Sequence, residues 1–589
     1  MERKSFLQMS VGTFLASLSS TPLIQAAANL NYSWLHPELQ EWVTANDATV
    51  TALLPAIQQD KIVFRRKVGY DFAALTAAYV SPTSTFYRSE VLVGKLELLA
   101  ASMIAHQAPD GTVNIANLES PPDTAFLVEI VSAAVMILKS DKSLPILPVT
   151  QQMSDFLKRA GEGLITGGVH TPNHRWVICA ALARLHTLFP NDDRYVHRIH
   201  EWLAEGIYQD ADGHYPERSS GVYAPVENNS LITMARLLKM PALYQYVRKN
   251  LEMTWYYMEP NGDLVTNDSR RQDQYMEWTN ASYYFLYRWM AIIDKNPTFA
   301  SVALQISQVP GFEVKVMSRD YFLFLEHHML QNSMPQAIAP AVDYEKYFTT
   351  SQLLRIRRGT MSATLFGGVD WPLEIASGRS NSPDFFSYRK GKAVLKSLRL
   401  STTFFSMGYF YSEGIQQKNG QYILHKKNAS PYYQPLPKKF LKADGDYRLS
   451  PSTDGRFWNK MDFQNRPVSN LKEQDIQIIF TEKDGTVTLA IHVTGAAAVP
   501  VTLEMCFKEG GKLSGLTALE NDNFILEKDF GTYEFEGDTI QFGPGAAAHK
   551  NLTALEGERY STHFGSLRMK GTHVYITGIT PFQHTLIFK

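Results

Sequence analysis

The sequence predicts an α+β multidomain fold: an N-terminal (α/α) toroid, incomplete or of six hairpins, followed by a C-terminal antiparallel β-sandwich. Three observations predict it. Turns of the type Asp-Gly, Glu-Gly or Asn-Gly recur about every fifty residues, at Gly111, Gly163, Gly213 and Gly262. That period is the length of two helices with their connections and lies in the range that marks a helical array. From about residue 35 to 310 apolar residues stand at helical spacing, and after about residue 315 the chain turns to short alternating runs separated by Gly, Asn and Asp.

Taken in order, the chain starts with charge (Arg3, Lys4), an apolar stretch and the small residues Ala26, Ala27 and Ala28, the three regions of a bacterial export signal, read as residues 1–27. Arg3-Lys4-Ser5-Phe6-Leu7 is similar to a twin-arginine signal with lysine as its second cation. The expectation is export to the periplasm or cell surface of a Gram-negative bacterium. Residues 28–315 are expected to form the helical domain. Segments 90–103, 126–138, 194–203 and 230–238 all read as helices, some apolar nearly all round, as the inner ring of a two-layered toroid requires. Residues 316–589 are expected to form the β domain, with strands over 353–358, 363–366, 476–480, 486–493, 501–507 and 573–579.

Composition narrows the function. The 589 residues carry a formal net charge of −1, so no basic excess points to nucleic acid. No segment after the signal has the ~20 apolar residues that span a membrane. Cys179 and Cys506 read as small buried hydrophobes. No cofactor motif stands out. His170 and His174 are four apart, but Pro172 and a helix start between them spoil a two-ligand face and no third metal ligand is evident.

The stretch from Gly163 to Trp176 organises the site. Thr171 is placed to cap a helix whose first residue is Pro172, so Asn173 and His174 fall in the first turn, where free N–H groups and the positive dipole end favour an anion. If the repeat closes, the loops around Pro121-Pro122-Asp123, Asn173-His174, Glu227-Asn228-Asn229 and Arg270-Arg271-Gln272 share one face.

Helical repeats followed by an all-β half behind an export signal resemble the polysaccharide lyases of the heparinase, chondroitin AC lyase and hyaluronate lyase type. Asp212-Gly-His-Tyr-Pro-Glu-Arg-Ser-Ser-Gly-Val-Tyr223 is similar to the hyaluronate lyase segment that carries a catalytic His and Tyr. Tyr223 matches the tyrosine, while Glu217 and Arg218 stand near the place of the histidine, leaving His170 or His174 to serve. The run His170-Thr-Pro-Asn-His-Arg-Trp176, taken with the Asp212 segment, resembles gut-bacterial lyases that remove L-rhamnose from glucuronate on arabinogalactan proteins. The resemblance implies an acidic polysaccharide as substrate.

Uronate elimination needs donors on the carboxylate, a base for the C5 proton and an acid for the leaving oxygen. The candidate catalytic residues are Tyr223, His174 and Arg218, with Tyr275 behind Tyr223 as base. The candidate substrate-binding residues are His170, Asn173, Asn228, Asn229, Arg270, Arg271, Tyr275 and Arg88. Asn228-Asn229 also reads as the cap of a helix starting at Ser230. The loop at Ser377, Arg379, Asn381 and Asp384, with Arg389 and Lys392, offers further polar groups from the β half. Two rivals stand beside the lyase within this face: an inverting hydrolase on Asp123, Glu217 and Asp268, and a glycan-binding protein using Trp176, Trp255, Tyr256, Tyr257 and Trp278 as stacking platforms. A glycosaminoglycan is the alternative lyase substrate.

Overall fold

The computed structural model describes residues 39–59, 61–141, 143–368, 382–452, 458–519, 523–552 and 569–589. The expected export signal and residues 377–381 of the polar loop lie outside the described residues. Contacts divide the chain into two compact units: Met1–Gly167, Arg184–Asn191 and Glu313–Gln331 form the first, and Gly168–Ala183, Asp192–Phe312 and Asn332–Lys589 the second.

The first unit is helical. It contains α1 (Gln40–Leu53), α2 (Lys67–Val80), α3 (Glu90–Ala105), α4 (Pro121–Leu138) and α5 (Leu147–Thr166). Helix α4 starts where local chemistry dictates: Ser120 accepts the Asp123 N–H at 3.2 Å, and Pro121 and Pro122 fill positions that need no N–H partner. By length and composition α4 is apolar enough to cross a membrane, yet 83% of it is buried within the protein. Inside this unit the buried Arg184 bridges Glu129 and Glu326, each at 3.2 Å.

The expected glycine turns are real at three of four places. Ala108, Asp210 and Glu259 each donate their N–H to the carbonyl four residues on and accept one from the glycine three residues on. Gly111, Gly213 and Gly262 hold φ of 92°, 112° and 88°, a region open to glycine. Gly163 differs: it lies within α5, and a Cβ there would sit 2.8 Å from Thr112 Cγ2 and 3.0 Å from the Asp110 carbonyl. Its glycine serves close packing of a helix on the neighbouring turn, which the spacing alone reads as another turn.

The second unit holds residues 172–183 of α6 (Pro172–Leu188), then α7 (Arg194–Ala204), α8 (Tyr223–Leu237), α9 (Tyr244–Tyr257), α10 (Tyr284–Asp294) and α11 (Pro297–Ser307), and all the strands. Strands begin at Tyr344, after the helical turn at His328–Gln331. Two large sheets of ten and eight strands pair antiparallel almost throughout; Asn523–Ile525 runs parallel to Thr572–Ile579. One apolar core joins Leu354, Leu398 and Leu503 of the first sheet with Ile478, Leu489 and Phe542 of the second, as alternating strands require. Cys179 and Cys506 are buried free thiols.

A buried ion pair ties the turn after α9 to the first sheet. Arg355 contacts Glu259 at 2.9 Å, and Ser362 donates to the same carboxylate at 2.6 Å. Burial pushes the Glu259 acid up, but the Arg355 and Arg389 guanidiniums and the Ser362 hydroxyl outweigh it and hold the pKa at about 2, below the ordinary 4.5. Stability from this group is present above pH 4.5 and is lost as pH falls toward 2. On the order of 3 kcal/mol is at stake. Urea denaturation is expected to show that acid-side loss in the wild type and a shallower one in Glu259→Gln.

Candidate active site

The site lies within the second unit and grows from the start of α6. Asn173 is fully buried, and its side-chain N–H groups donate to Glu217 Oε1 at 2.9 Å, to Oε2 at 2.8 Å and to Thr171 Oγ1 at 3.1 Å. The anion expected at this helix start is therefore the chain's own Glu217 carboxylate. Burial pushes the Glu217 acid up, opposed first by Arg271 and then by Asn173.

Arg271 joins Glu217 to Tyr223. One arm of the guanidinium makes a short bond to Glu217 Oε1, the other donates to Tyr223 Oη at 3.0 Å, and the group lies 4.1 Å from the centre of the tyrosine ring. Gln272 Nε2 adds a second donor to the same phenol oxygen at 3.1 Å. Two donors fix the phenol oxygen and stabilise negative charge that develops on it.

Backbone contacts put these side chains in register. Tyr223 opens α8, and Ser219 Oγ accepts its N–H at 3.1 Å. Arg270 donates its N–H to the Glu217 carbonyl at 2.9 Å and Nη1 to the Pro216 carbonyl at 2.7 Å. Asp273 accepts Gly221 N–H at 3.0 Å and Ser269 Oγ at 2.5 Å. At Gly221 a Cβ would lie 2.7 Å from the Trp278 ring, so a glycine permits the loop to approach. Deeper in the fold, His214 Nε2 sits 2.9 Å from Tyr257 Oη and 3.2 Å from Asp268 Oδ2, and Tyr257 donates to that same oxygen at 2.8 Å.

Of the expected residues, Tyr223, Asn173 and Arg271 come together. Arg270 ties two loops. Arg218 donates to the Thr350 carbonyl at 3.2 Å and lies 3.8 Å from Asp210. Asn228 does not cap a helix: α8 begins seven residues before Ser230, and Asn228 is a buried bridge that accepts from Tyr215 Oη at 2.8 Å and donates to Asn250 at 2.7 Å. Asn229, one position on, is exposed. His170 and His174 meet edge to face, ring centres 4.7 Å apart. Arg88 belongs to the first unit, with φ of 52° and its guanidinium 3.6 Å from Asp141. The side chain of Tyr275 lies outside the described residues. From the β half, Arg389 pairs with Asp263 at 2.7 Å and Lys392 with Glu536 at 2.8 Å, so neither cation is uncommitted.

Two carboxylates of the hydrolase alternative are engaged away from this cluster, and the third, Glu217, is held within it by Arg271 and Asn173. Asp268 is fully buried; burial pushes it up, but His214 first, with Arg218 and the Tyr257 hydroxyl, outweighs this and holds it below the ordinary range. Asp123 is likewise held low, by Asn117, Ser120 and Arg66 acting against burial. Neither is set to donate a proton.

Sequence reasoning missed the donor role of Gln272, the buried His214, and Glu227. Glu227 lies one helical turn after Tyr223, fully buried, with no hydrogen-bond partner on either oxygen among the described residues. Burial, then the charge of Glu217, push its acid well above the ordinary range. Such a group contributes stability below its ordinary pKa, and that stability is lost as pH rises through the raised one. Thermal unfolding followed across pH is expected to show Glu227→Gln losing less stability than wild type as pH rises above the ordinary 4.5.

No family model and no curated protein matches the chain. Solved structures match it as folds. Heparinase III is 11% identical, with 97% of this chain and 87% of that one covered at a TM-score of 0.58. The Streptomyces coelicolor A3 chondroitin AC lyase, in complex with chondroitin sulphate, is 11% identical over 94% and 79% at 0.52. A Paenibacillus xanthan lyase is 9% identical over 95% of this chain and 58% of its own at 0.52. The likeness is one of fold: α+β multidomain, an (α/α) toroid followed by an antiparallel β-sandwich, as the sequence predicts.

Proposed function

We propose that this chain is a polysaccharide lyase that cleaves a uronate-containing acidic glycan by β-elimination, and that its target is the L-rhamnose cap on glucuronate of arabinogalactan proteins. The observation that carries the reading is the chain Asn173, Glu217, Arg271, Tyr223, which ends on a phenol oxygen held by two donors. The solved structures of like fold are named as lyases of acidic glycans, which supports the class. The rhamnose cap rests on the likeness of the segments around His170 and Asp212.

In this reading Tyr223, as phenolate, takes the C5 proton. The C5–H electron pair forms the C4=C5 double bond, the C4–O bond breaks, and the leaving oxygen takes the proton back from Tyr223. Atoms and charge balance, and the product is a 4,5-unsaturated uronate. Arg271 stabilises the negative charge on the reacting carboxylate and on the phenol oxygen. The Asn173 N–H groups are committed to Glu217 and Thr171, so Asn173 orients Glu217, which in turn fixes Arg271. His174 is the second candidate acid and His170 a substrate contact. The same reading makes residues 1–27 an export signal, 28–315 the catalytic domain and 316–589 the β domain.

The test is ultraviolet absorbance of the conjugated product beside a reducing-end assay, with rhamnose-capped arabinogalactan, hyaluronan, heparan and alginate in turn. Absorbance rising with arabinogalactan alone supports the full reading. A rise with hyaluronan or heparan instead moves the substrate to a glycosaminoglycan, and new reducing ends without absorbance overturn the elimination.

A further inference from the structure

Strands Gln421–Tyr433 and Val468–Lys483 pair from Tyr422 with Phe480 to Tyr433 with Val468, and their joined ends run past the sandwich core. The first six residues of the second strand, 468–473, are all exposed, whereas its later residues alternate inward. Between them the described residues of 434–467 form an arm. It is ordered by its own contacts: Ser450–Pro451 pairs with Trp458–Asn459, the Tyr433 and Phe463 rings lie 4.9 Å apart, Arg466 Nε donates to the Met461 carbonyl at 2.6 Å, and Lys460 pairs with Asp446.

Two features of this arm have no use in the fold. Several large apolar side chains of the arm and of the strand ends that carry it face water: Trp458 is 47% exposed and Tyr432 53%, with Leu441, Leu449, Val468 and Leu471 exposed as well. Large apolar side chains gathered in number on one exposed segment are what an interaction site is built from. Its charge is also one-sided. Residues 434–472 hold eight Lys and Arg against four Asp, a net +4 in a chain whose total is −1. Lys438, Lys439, Arg448 and Lys472 form no ion pair among the described residues. The Tyr432 ring is braced edge-on by Phe405, centres 5.8 Å apart, so an exposed aromatic face is held ready and loses little freedom on binding.

We propose that the described residues of the arm, with the strand ends Tyr432 and 468–472 that carry it, are a second, non-catalytic binding site for an acidic polysaccharide, with Trp458 and Tyr432 stacking on sugar rings and Lys438, Lys439, Arg448 and Lys472 meeting the carboxylates. The proposal rests on the reading of the chain as acting on an acidic glycan. Half-exposed rings on the same segment as such cations suit a ligand that offers apolar C–H faces and negative charge in alternation along its length, as a uronate polymer does. A membrane surface is met by an amphipathic helix with a continuous apolar face; this arm has short strands and turns.

The test uses the full mature chain and needs no turnover. Retardation in native gels containing polygalacturonate or hyaluronan is compared with gels containing dextran, for wild type and for the double variant Trp458→Ala, Tyr432→Ala. The expected result is retardation by the acidic glycans only, weakened by salt and at least tenfold weaker in the double variant, whose unfolding midpoint and turnover of short oligosaccharides stay at wild-type values. Equal retardation of wild type and double variant overturns the proposal. So does equal retardation by dextran, retention only by anionic phosphatidylglycerol vesicles, or a wild-type dimer that the double variant abolishes. Because the gels report binding alone, acidic-glycan retardation without elimination of any glycan removes the lyase reading and leaves the arm.

Discussion

Tyr223→Phe is expected to lower kcat by about 10²–10⁴-fold, the contribution of a positioned proton-transfer group, with KM little changed. The hydroxyl is the one group removed. In the wild type it receives N–H bonds from Arg271 at 3.0 Å and Gln272 at 3.1 Å, so its loss leaves two donors that water can reach. Stability is therefore expected to stay within about 1 kcal/mol of wild type. The check is steady-state kinetics on the responsive glycan beside thermal unfolding. A folded variant with near-wild-type turnover removes Tyr223 as the base.

Arg271→Ala is expected to lower stability as well as activity, because it acts on both ends of the cluster. Activity falls by about 10²–10³-fold, the cost of one preorganised donor at a developing charge. Glu217, 5% exposed at its side chain, then keeps only Asn173 as partner, and stability falls by about 2–3 kcal/mol. The sign with pH is fixed. Arg271 opposes the upward push of burial on Glu217, so without it the acid rises further, its contribution is kept at low pH, and it is lost as pH rises. The variant is expected to approach wild-type stability on acidification and to fall away as pH rises above the ordinary 4.5. Arg271→Lys keeps the charge but not the two-armed reach, and is expected to lie between the two. Unfolding midpoints across pH, measured beside kcat, check both parts.

Local chemistry made part of this site readable. Pro172 after Thr171 announces a helix start, and Asn173 follows from it. What lay beyond one sequence was the partner: Glu217 fills the anion position from another loop, and its pairing with Arg271 spans 54 residues. Asn228 was misplaced because Tyr223-Ala-Pro-Val-Glu-Asn-Asn reads as a loop, with a proline and two poor helix formers. In the fold Pro225 falls in the first turn, where no N–H is missed, and Asn228 is held by Tyr215 and Asn250. Glu227 was hidden by the same error, since a buried acid on an inner helix face shows only once the helix is started at Tyr223. At Gly163 the period was right and its cause wrong, because a close approach and a turn both call for glycine. The strands were legible from alternation, whereas their order in two sheets depends on pairings far apart in sequence.

The most direct measurement is the mass of the products formed in water enriched in heavy oxygen from the glycan that responds. Elimination predicts a uronate fragment lighter than its hydrolytic counterpart by one water, with no heavy oxygen in either fragment. Heavy oxygen at the anomeric carbon of a full-mass fragment would mean that water cleaves the bond, and would contradict the lyase account.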